Sequence, residues 1–472
     1  MIKAGAETNT RVFTPQKIVK EMLDALPPEV WNSKTTFLDP AVKSGVYLVE
    51  IYNRLMETPE LIKDFPDEQD RAIHIYKNQL FGIAIDNFCC LMAQRNLYGH
   101  IGGESNIRFI DGYMSKVKDK DSKKYIDAVK KEFNNMKFDV VIGNPPYQET
   151  NGGGGNSDSG KAIYQHFVNK AIEISDKFVC MITKNSWYRT RDTGGNKGFD
   201  KMKDNLLAKG MLTTIVDFPK YHEIFKGIGC AVSYFVADKN KSSKQYEFIT
   251  IIDNKEESRF VADCTNLKDV LRGKGLTSIA NKVFNDQNMS KYTFAKLAFG
   301  IDTTGVFDLR VSPNEEYNIK LVENGGVSYI RANSVNKHSE LIGAYKIICT
   351  RAVSAWSGNI ENVITSIQLL KPHEVCTGTY SVIYYTNDKE SAYNAEKYIK
   401  TKFVRELLRC TIDARGVISG TTFEYVPLQD FTNQSDIDWS QSISDIDKQL
   451  YKKYSLTDEE INYIEKTIKP MT

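Results

Sequence analysis

From Thr35 to Phe218 the chain alternates short β-rich runs with stretches of helical period, and this alternation restricts the fold more than any other feature. The runs are TTFLD (35–39), LFGIAID (80–86), NIRFID (106–111), FDVVIG (138–143), KFVCMIT (177–183) and LTTIVDF (212–218). Helical patterns fit between most of them. Ile18, Val19, Met22, Leu23 and Leu26 repeat at helical spacing behind Thr14 and Pro15, which read as N-cap and first-turn proline. Ala162 to Ile174 carries a similar stripe. Strands that alternate with helices predict an α/β fold with a doubly wound, mostly parallel sheet. Two further runs, CAVSYFVAD (230–238) and YEFITIID (246–253), are separated only by polar residues and read as an antiparallel hairpin at one edge. The polar stretch 56–79 reads as an insertion.

From about residue 260 the alternation is lost and aromatic and basic residues mix. The pattern predicts a first domain over 1–258 and a second, of α+β character, over 259–472. A length of 472 residues is ample for two domains with their own cores. No apolar run approaches the roughly 20 residues of a membrane span, and the first residues, MIKAGAETNTRVF, lack the apolar centre of a secretory signal. The eight cysteines show neither CxxC nor Cys/His metal spacing, so reduced thiols, no metal site and a cytoplasmic location are expected. His166 and His222 belong to no metal or nucleophile constellation. A net charge of +2 neither demands nor excludes a nucleic-acid partner.

Ligands of doubly wound sheets sit beyond the carboxyl ends of the strands. Three such ends carry an acid in series: Asp39, followed by the small residues of DPAVKSG, then Asp86 and Asp111. The fourth run ends differently, in DVVIGNPPYQ (139–148). Consecutive prolines stiffen the backbone and remove two amide donors, so Asn144 and the carbonyls beside it are held still. An Asp at a strand end is usually a turn or cap residue. Three in order, followed by Asn144-Pro145-Pro146-Tyr147, are hard to explain as turns.

In this order the motifs resemble the adenine-N6 DNA methyltransferases of restriction–modification systems, in the gamma arrangement and related to the methylase part of type IIG enzymes. RVFTP (11–15) resembles the family's methionine-binding motif, DPAVKSG (39–45) its DPACGSG, and LFGIAIDN and FIDG its ribose and adenine motifs. NPPY (144–147) is similar to the catalytic tetrapeptide, and EIFKGIGCAVSYF (223–235) to a later motif whose Phe lies on the target base. The resemblance covers roughly residues 8 to 238 and departs at Val42 and Lys43, where the family has Cys and Gly. It implies a Rossmann-like methyltransferase sheet and a target-recognition domain behind it. It also implies S-adenosylmethionine as cofactor, held by Phe13, Thr14, Asp39, Ala41, Ser44, Gly45, Asp86, Asp111 and Asn144. Double-stranded DNA would be the substrate, its adenine flipped out between Tyr147 and Phe225.

The tetrapeptide suits that chemistry. An adenine amine is a weak nucleophile because its lone pair is delocalised into the ring. Two fixed acceptors, the Asn144 side-chain carbonyl and the Pro145 backbone carbonyl, would favour a pyramidal nitrogen aimed at the methyl donor. In the C-terminal half, KYIKTKFVRELLR (397–409) reads as one basic helix, with phosphate contacts from Lys400, Lys402 and Arg405. TRAVSAWSGN (350–359) and DARGVISG (413–420) are both candidates for base-reading loops, and the glycine-rich QETNGGGGNSDSGK (148–161) reads either as a plain connector or as a loop closing over the target. Thr457 and Glu460 form a capping-box pattern for a final helix. Two rival readings share these residues: a methyltransferase of RNA or protein glutamine, and a non-catalytic DNA-specificity subunit. The N-terminal motif begins within the first fifteen residues and no carboxylate cluster suits Mg²⁺, so any cleavage is expected from a separate restriction endonuclease.

Overall fold

The computed structural model describes the chain except residues 1–11, 100–103, 121, 135, 149–160, 193–196, 221–224, 226–230, 303–307, 353–362, 365, 412–416, 419 and 472. Most of the glycine-rich loop, residues 353–359 and 413–416 of the two reading loops, and His222 therefore lie outside the described residues. Two compact units make up the chain, Met1–Val270 and Leu271–Thr472.

Among the described residues of the first unit, nine strands form one sheet in the order β3-β2-β1-β4-β5-β7-β6-β8-β9. They are β1 (Phe37–Val42), β2 (Leu80–Ala84), β3 (Ile107–Phe109), β4 (Phe138–Gly143), β5 (Ser175–Lys184), β6 (Leu212–Phe218), β7 (Val232–Asp238), β8 (Gln245–Ile252) and β9 (Lys255–Asp263). The helices are α1 (Gln16–Asp24), α2 (Val46–Met56), α3 (Pro59–Asp64), α4 (Glu68–Asn78), α5 (Asn87–Tyr98), α6 (Tyr113–Lys118), α7 (Ser122–Glu132), α8 (Tyr164–Ile174) and α9 (Phe199–Lys203). The mostly parallel α/β sheet expected from the alternation is present. β1 and β2 are buried along their whole length, as strands covered on both faces must be, hence their near-continuous apolar sequence. Leu38 pairs with both Phe81 and Val141, which sets the carboxyl ends of β2, β1 and β4 side by side.

Three local expectations are corrected. An antiparallel hairpin does stand at one edge, but it joins β8 and β9, with Ile252 opposite Lys255. The run 230–238 is β7, inserted between β5 and β6 and antiparallel to both. The hairpin signal lay in Asp253 and Asn254, whose φ values of 51° and 59° make the two-residue turn that matches strand twist. Thr14 is not the cap of α1; Pro15 is, without a side-chain capping bond. The stretch 56–79 contains two helices, and α4 packs on α2 through the stacked rings of Tyr52 and Tyr76, 4.7 Å apart.

The first unit runs past the expected boundary at 258, which falls inside β9. Beyond that strand, Asp269 is fully buried against Arg191 and the Lys203 ammonium at 3.0 Å, and the Val270 N–H donates to the Tyr188 carbonyl.

Among the described residues of the second unit there are two three-stranded sheets. One orders β11 (Gly326–Ile330), β10 (Ile319–Glu323) and β14 (Glu374–Cys376); the other β13 (Ile367–Leu370), β12 (Tyr345–Thr350) and β15 (Tyr380–Thr386). Its helices are α10 (Lys274–Val283), α11 (Lys389–Lys400), α12 (Lys402–Thr411), α13 (Ile443–Lys453) and α14 (Asp458–Thr467). Thr457 and Glu460 close the capping box of α14.

The basic stretch 397–409 is not one solvated helix. It breaks at Thr401, and α12 buries Phe403, Val404, Leu407 and Leu408 completely. Arg405 is only 1% exposed and donates to the Lys469 carbonyl at 2.6 Å. Lys400 pairs with Glu396 at 3.3 Å and Lys402 with Glu465 at 2.5 Å. The three cations expected to meet phosphates all have partners within their own unit, Lys400 in α11 and Lys402 and Arg405 in α12.

Candidate active site

The site grows from the turn after β1. Gly45 caps α2 with φ of 81°, and a Cβ there would lie 3.1 Å from the Ala93 Cβ of α5, so backbone and packing both require glycine. Asp39 is 3% exposed, and its Oδ1 accepts the Ala41 N–H at 2.9 Å. Across the sheet, a Cβ on Gly143 would come within 2.7 Å of that same oxygen. The carboxylate therefore lies against the end of β4. Burial pushes its pKa up to about 7, against the Ala41 N–H and the nearby Lys43 ammonium.

At the end of β4, Asn144 is 3% exposed and its amide is fixed on one side. Nδ2 donates to the Thr14 hydroxyl at 3.0 Å and to the Val12 carbonyl at 3.3 Å. This bond is what Thr14 does in place of capping α1. The other side-chain atom, Oδ1, is buried and accepts no hydrogen bond among the described residues. A buried acceptor without a donor costs about 1–3 kcal/mol, so this carbonyl is placed for something else. Tyr147, 3% exposed, presents its ring edge-on to Tyr164 with centroids 6.3 Å apart.

Lys43 completes the cleft. Its ammonium donates to the carbonyls of Val12 at 2.8 Å and Asn144 at 2.9 Å. The residue is 7% exposed, and burial lowers its pKa to about 8 against the opposing pull of Asp39. Between Phe13, Thr14, Asp39, Ala41, Ser44, Gly45 and Asn144 a cavity of about 10 Å³ remains, room for roughly one water. A larger cavity of about 480 Å³ lies between α1 and the β6–β8–β9 end of the sheet and contains none of these residues.

A family model, the Eco57I restriction-modification methylase, matches residues 78–225, a span that includes β2 and Asn144 to Tyr147. A Mycoplasma pneumoniae protein described as an uncharacterized adenine-specific methylase is 31% identical over 334 residues, covering 56% of this chain and 77% of that protein. The chain belongs to the family of that adenine-specific methylase. Solved relatives agree in fold. The type IIL restriction-modification enzyme MmeI, solved in complex with DNA, has a TM-score of 0.50 at 12% identity, over 96% of this chain and 76% of its own. The DrdV–DNA complex scores 0.51 at 10% identity, over 95% of this chain and 58% of its own. This methylase spans 45–51% of the type I restriction–modification chains that it also matches.

The methylase thus gathers seven of the expected cofactor residues, Phe13, Thr14, Asp39, Ala41, Ser44, Gly45 and Asn144, around one cleft. Asp86 and Asp111 do not line it. Asp86 caps α5, accepting the Cys89 N–H at 2.7 Å. Asp111 is exposed, and its backbone carbonyl accepts the Lys116 ammonium. Phe225 is 2% exposed, with its chain neighbours outside the described residues. Two residues were missed from the sequence. Tyr47 donates to the Thr14 hydroxyl at 3.3 Å, and Tyr113 to the Pro40 carbonyl at 2.9 Å. A tyrosine in the first turn of each of two short-turn helices was the available signal. Among the described residues no helix is long and apolar enough to cross a membrane, and no His/Cys/Asp/Glu group could hold a metal ion.

Proposed function

We propose that the protein transfers a methyl group from S-adenosylmethionine to the N6 amine of an adenine flipped out of double-stranded DNA, as the modification component of a restriction–modification or phage-defence system. The observation that carries this is Asn144 Oδ1, a buried carbonyl oxygen without a donor, set at the strand end beside two prolines. It is a ready acceptor for an amine hydrogen.

The cleft fits the cofactor chemically. Two backbone carbonyls, of Val12 and Asn144, converge on one ammonium position, and an amino-acid ammonium is what the methionine end of the cofactor carries. Thr14, Asp39, Ser44 and Gly45 would enclose that end, with Phe13 and Ala41 as apolar walls. Asp86 and Asp111 would face the nucleoside beyond the ends of β2 and β3. S-adenosylmethionine, when bound, supplies an electrophilic methyl group. Asn144 Oδ1 would accept a hydrogen bond from one N–H of the adenine amine and the Pro145 carbonyl from the other, drawing the lone pair out of the ring; the methylated amine, then cationic and acidic, would lose its extra proton to water. Pro145 and Pro146 hold those acceptors in place, so the gain is one of preorganised position and not of acid–base catalysis. Tyr147 and Phe225 would stack on the base, each contact contributing about 1–3 kcal/mol against the cost of unpairing. Residues 271–472 would read the target sequence, and a separate endonuclease would cleave unmodified DNA.

Sequencing genomic DNA from cells that express the protein, with detection of modified bases, tests this. N6-methyladenine within one short sequence is expected, and absent when Asn144→Ala replaces the parent. Methyl incorporation into RNA or protein, with none into DNA, would overturn it.

A further inference from the structure

The cleft that fits the cofactor's amino-acid end already holds an ammonium group, and it is the chain's own. Lys43 reaches from the turn between β1 and α2 into the space between the N-terminal segment and the end of β4. There its ammonium is bound by the Val12 and Asn144 carbonyls at 2.8 and 2.9 Å. The about 10 Å³ that remains is far below the volume of a methionine side chain with its ammonium and carboxylate. In so little space a ligand ammonium cannot reach those two carbonyls while the Lys43 ammonium stands against them. The two ammonium groups also repel each other in a site screened from water.

We infer that Lys43 is an internal competitor for the cofactor: its ammonium occupies the place of the ligand's ammonium, and binding requires the side chain to leave. This deepens the methyltransferase reading and rests on it. The fold explains why the competitor is displaceable and not a permanent strut. A lysine stem has four flexible bonds, and both of its acceptors are backbone carbonyls that a ligand ammonium can satisfy equally well. The nearby Asp39 carboxyl attracts the ammonium but forms no hydrogen bond with it: Asp39 Oδ1 accepts the Ala41 N–H, and the Lys43 ammonium donates to the Val12 and Asn144 carbonyls. Lys43 therefore sets cofactor affinity through the fraction of molecules in which the cleft is open. It does so without contacting the reacting atoms.

The inference predicts a selective effect. Lys43→Ala removes the competitor, and Lys43 has no left-handed backbone conformation that alanine would strain. The readout is the affinity of the purified full-length protein, by calorimetry, for two ligands. S-adenosylhomocysteine carries the amino-acid end; 5′-methylthioadenosine keeps the nucleoside and thioether but lacks that end. Lys43→Ala should bind S-adenosylhomocysteine about tenfold more tightly, as expected if the cleft is closed in roughly nine molecules of ten. Its affinity for 5′-methylthioadenosine should stay within about twofold of the parent. Lys43→Met, which keeps the stem and loses the charge, should shift in the same direction and serves if the alanine variant does not fold. Unchanged or weaker binding of S-adenosylhomocysteine by both folded variants overturns the inference while leaving the methyltransferase reading intact. An equal gain for both ligands overturns it too, since that reports general opening. If neither the parent nor the variants bind either ligand, the cofactor reading falls and this inference with it.

Discussion

Two side chains at the strand ends decide what the cleft can do, and each does so through burial. Asn144 has its amide nitrogen fixed by Thr14 and Val12, so the orientation of its free carbonyl is set before any substrate arrives. Removing it should cost what removal of one preorganised polar group costs elsewhere, about 10²–10³ in turnover. Asn144→Ala is therefore expected to lower methyl transfer at least about 100-fold, with S-adenosylhomocysteine affinity within roughly threefold of the parent. Near-normal turnover in that variant would remove the proposed acceptor. Asp39 makes a different prediction, on stability. With its pKa raised to about 7, the folded chain keeps a proton that the unfolded chain gives up above the ordinary value of 3.8. Between those values the native state binds more protons, so unfolding free energy falls as pH rises, by on the order of 1 kcal/mol per unit. Lys43 works in the opposite sense: between about 8 and 10.5 the unfolded chain holds the extra proton, and stability recovers as pH rises. Asp39→Asn should gain on the parent steadily from pH 4 to pH 7 in denaturant titrations. Parallel curves across that range would show that the carboxyl is ionised in the folded protein.

Elements place these groups through turns that tolerate little change. The step from β1 into α2 needs a left-handed residue at 45, and α5 packs against it at the same point. Gly45→Ala should lower stability by about 1–3 kcal/mol and weaken S-adenosylhomocysteine binding along with it, since the strained turn carries Lys43 and Ser44. An unaltered melting temperature and affinity would show that the turn adapts. At this scale the sequence was most legible where strands are buried on both faces. β1, β2 and β4 declare themselves as apolar runs, and the Asp-Pro step inside β1 and the Asn-Pro-Pro directly after β4 mark the cleft. It was least legible where packing decides. β9, KEESRFVAD, is an edge strand whose polar sequence carries no strand signal of its own; it forms because Asp253 and Asn254 turn the chain back on β8. The basic residues of 397–409 look like a solvated face until the apolar stripe of α12 is seen to dominate the helix. Thr14 looks like a cap because it precedes a helix, and only the fold brings it to Asn144, 130 residues away.

For the whole molecule, the question is where sequence recognition resides. The first unit contains every residue of the cleft and completes its own sheet with β9, while the second has two separate cores and none of the cleft residues. With a net charge of +2, the proposed DNA binding would rest on local placement of cations, and Lys400, Lys402 and Arg405 already have partners within the second unit. A truncation has to respect the sheet: ending at 255 would delete β9 and expose the edge of β8, whereas ending at Val270 keeps Asp269 under Lys203 and Arg191. The 1–270 protein should remain folded and bind S-adenosylhomocysteine within about threefold of the full chain. Its preference for a target duplex over an unrelated one, about 10³ or more in a typical specific binder, should disappear. What remains should be weak, salt-dependent binding that is equal for all sequences. Competition binding with the methylated target, a scrambled duplex and the two proteins reads all of this at once. If 1–270 still discriminates the target, recognition belongs to the first unit, and residues 271–472 need another role.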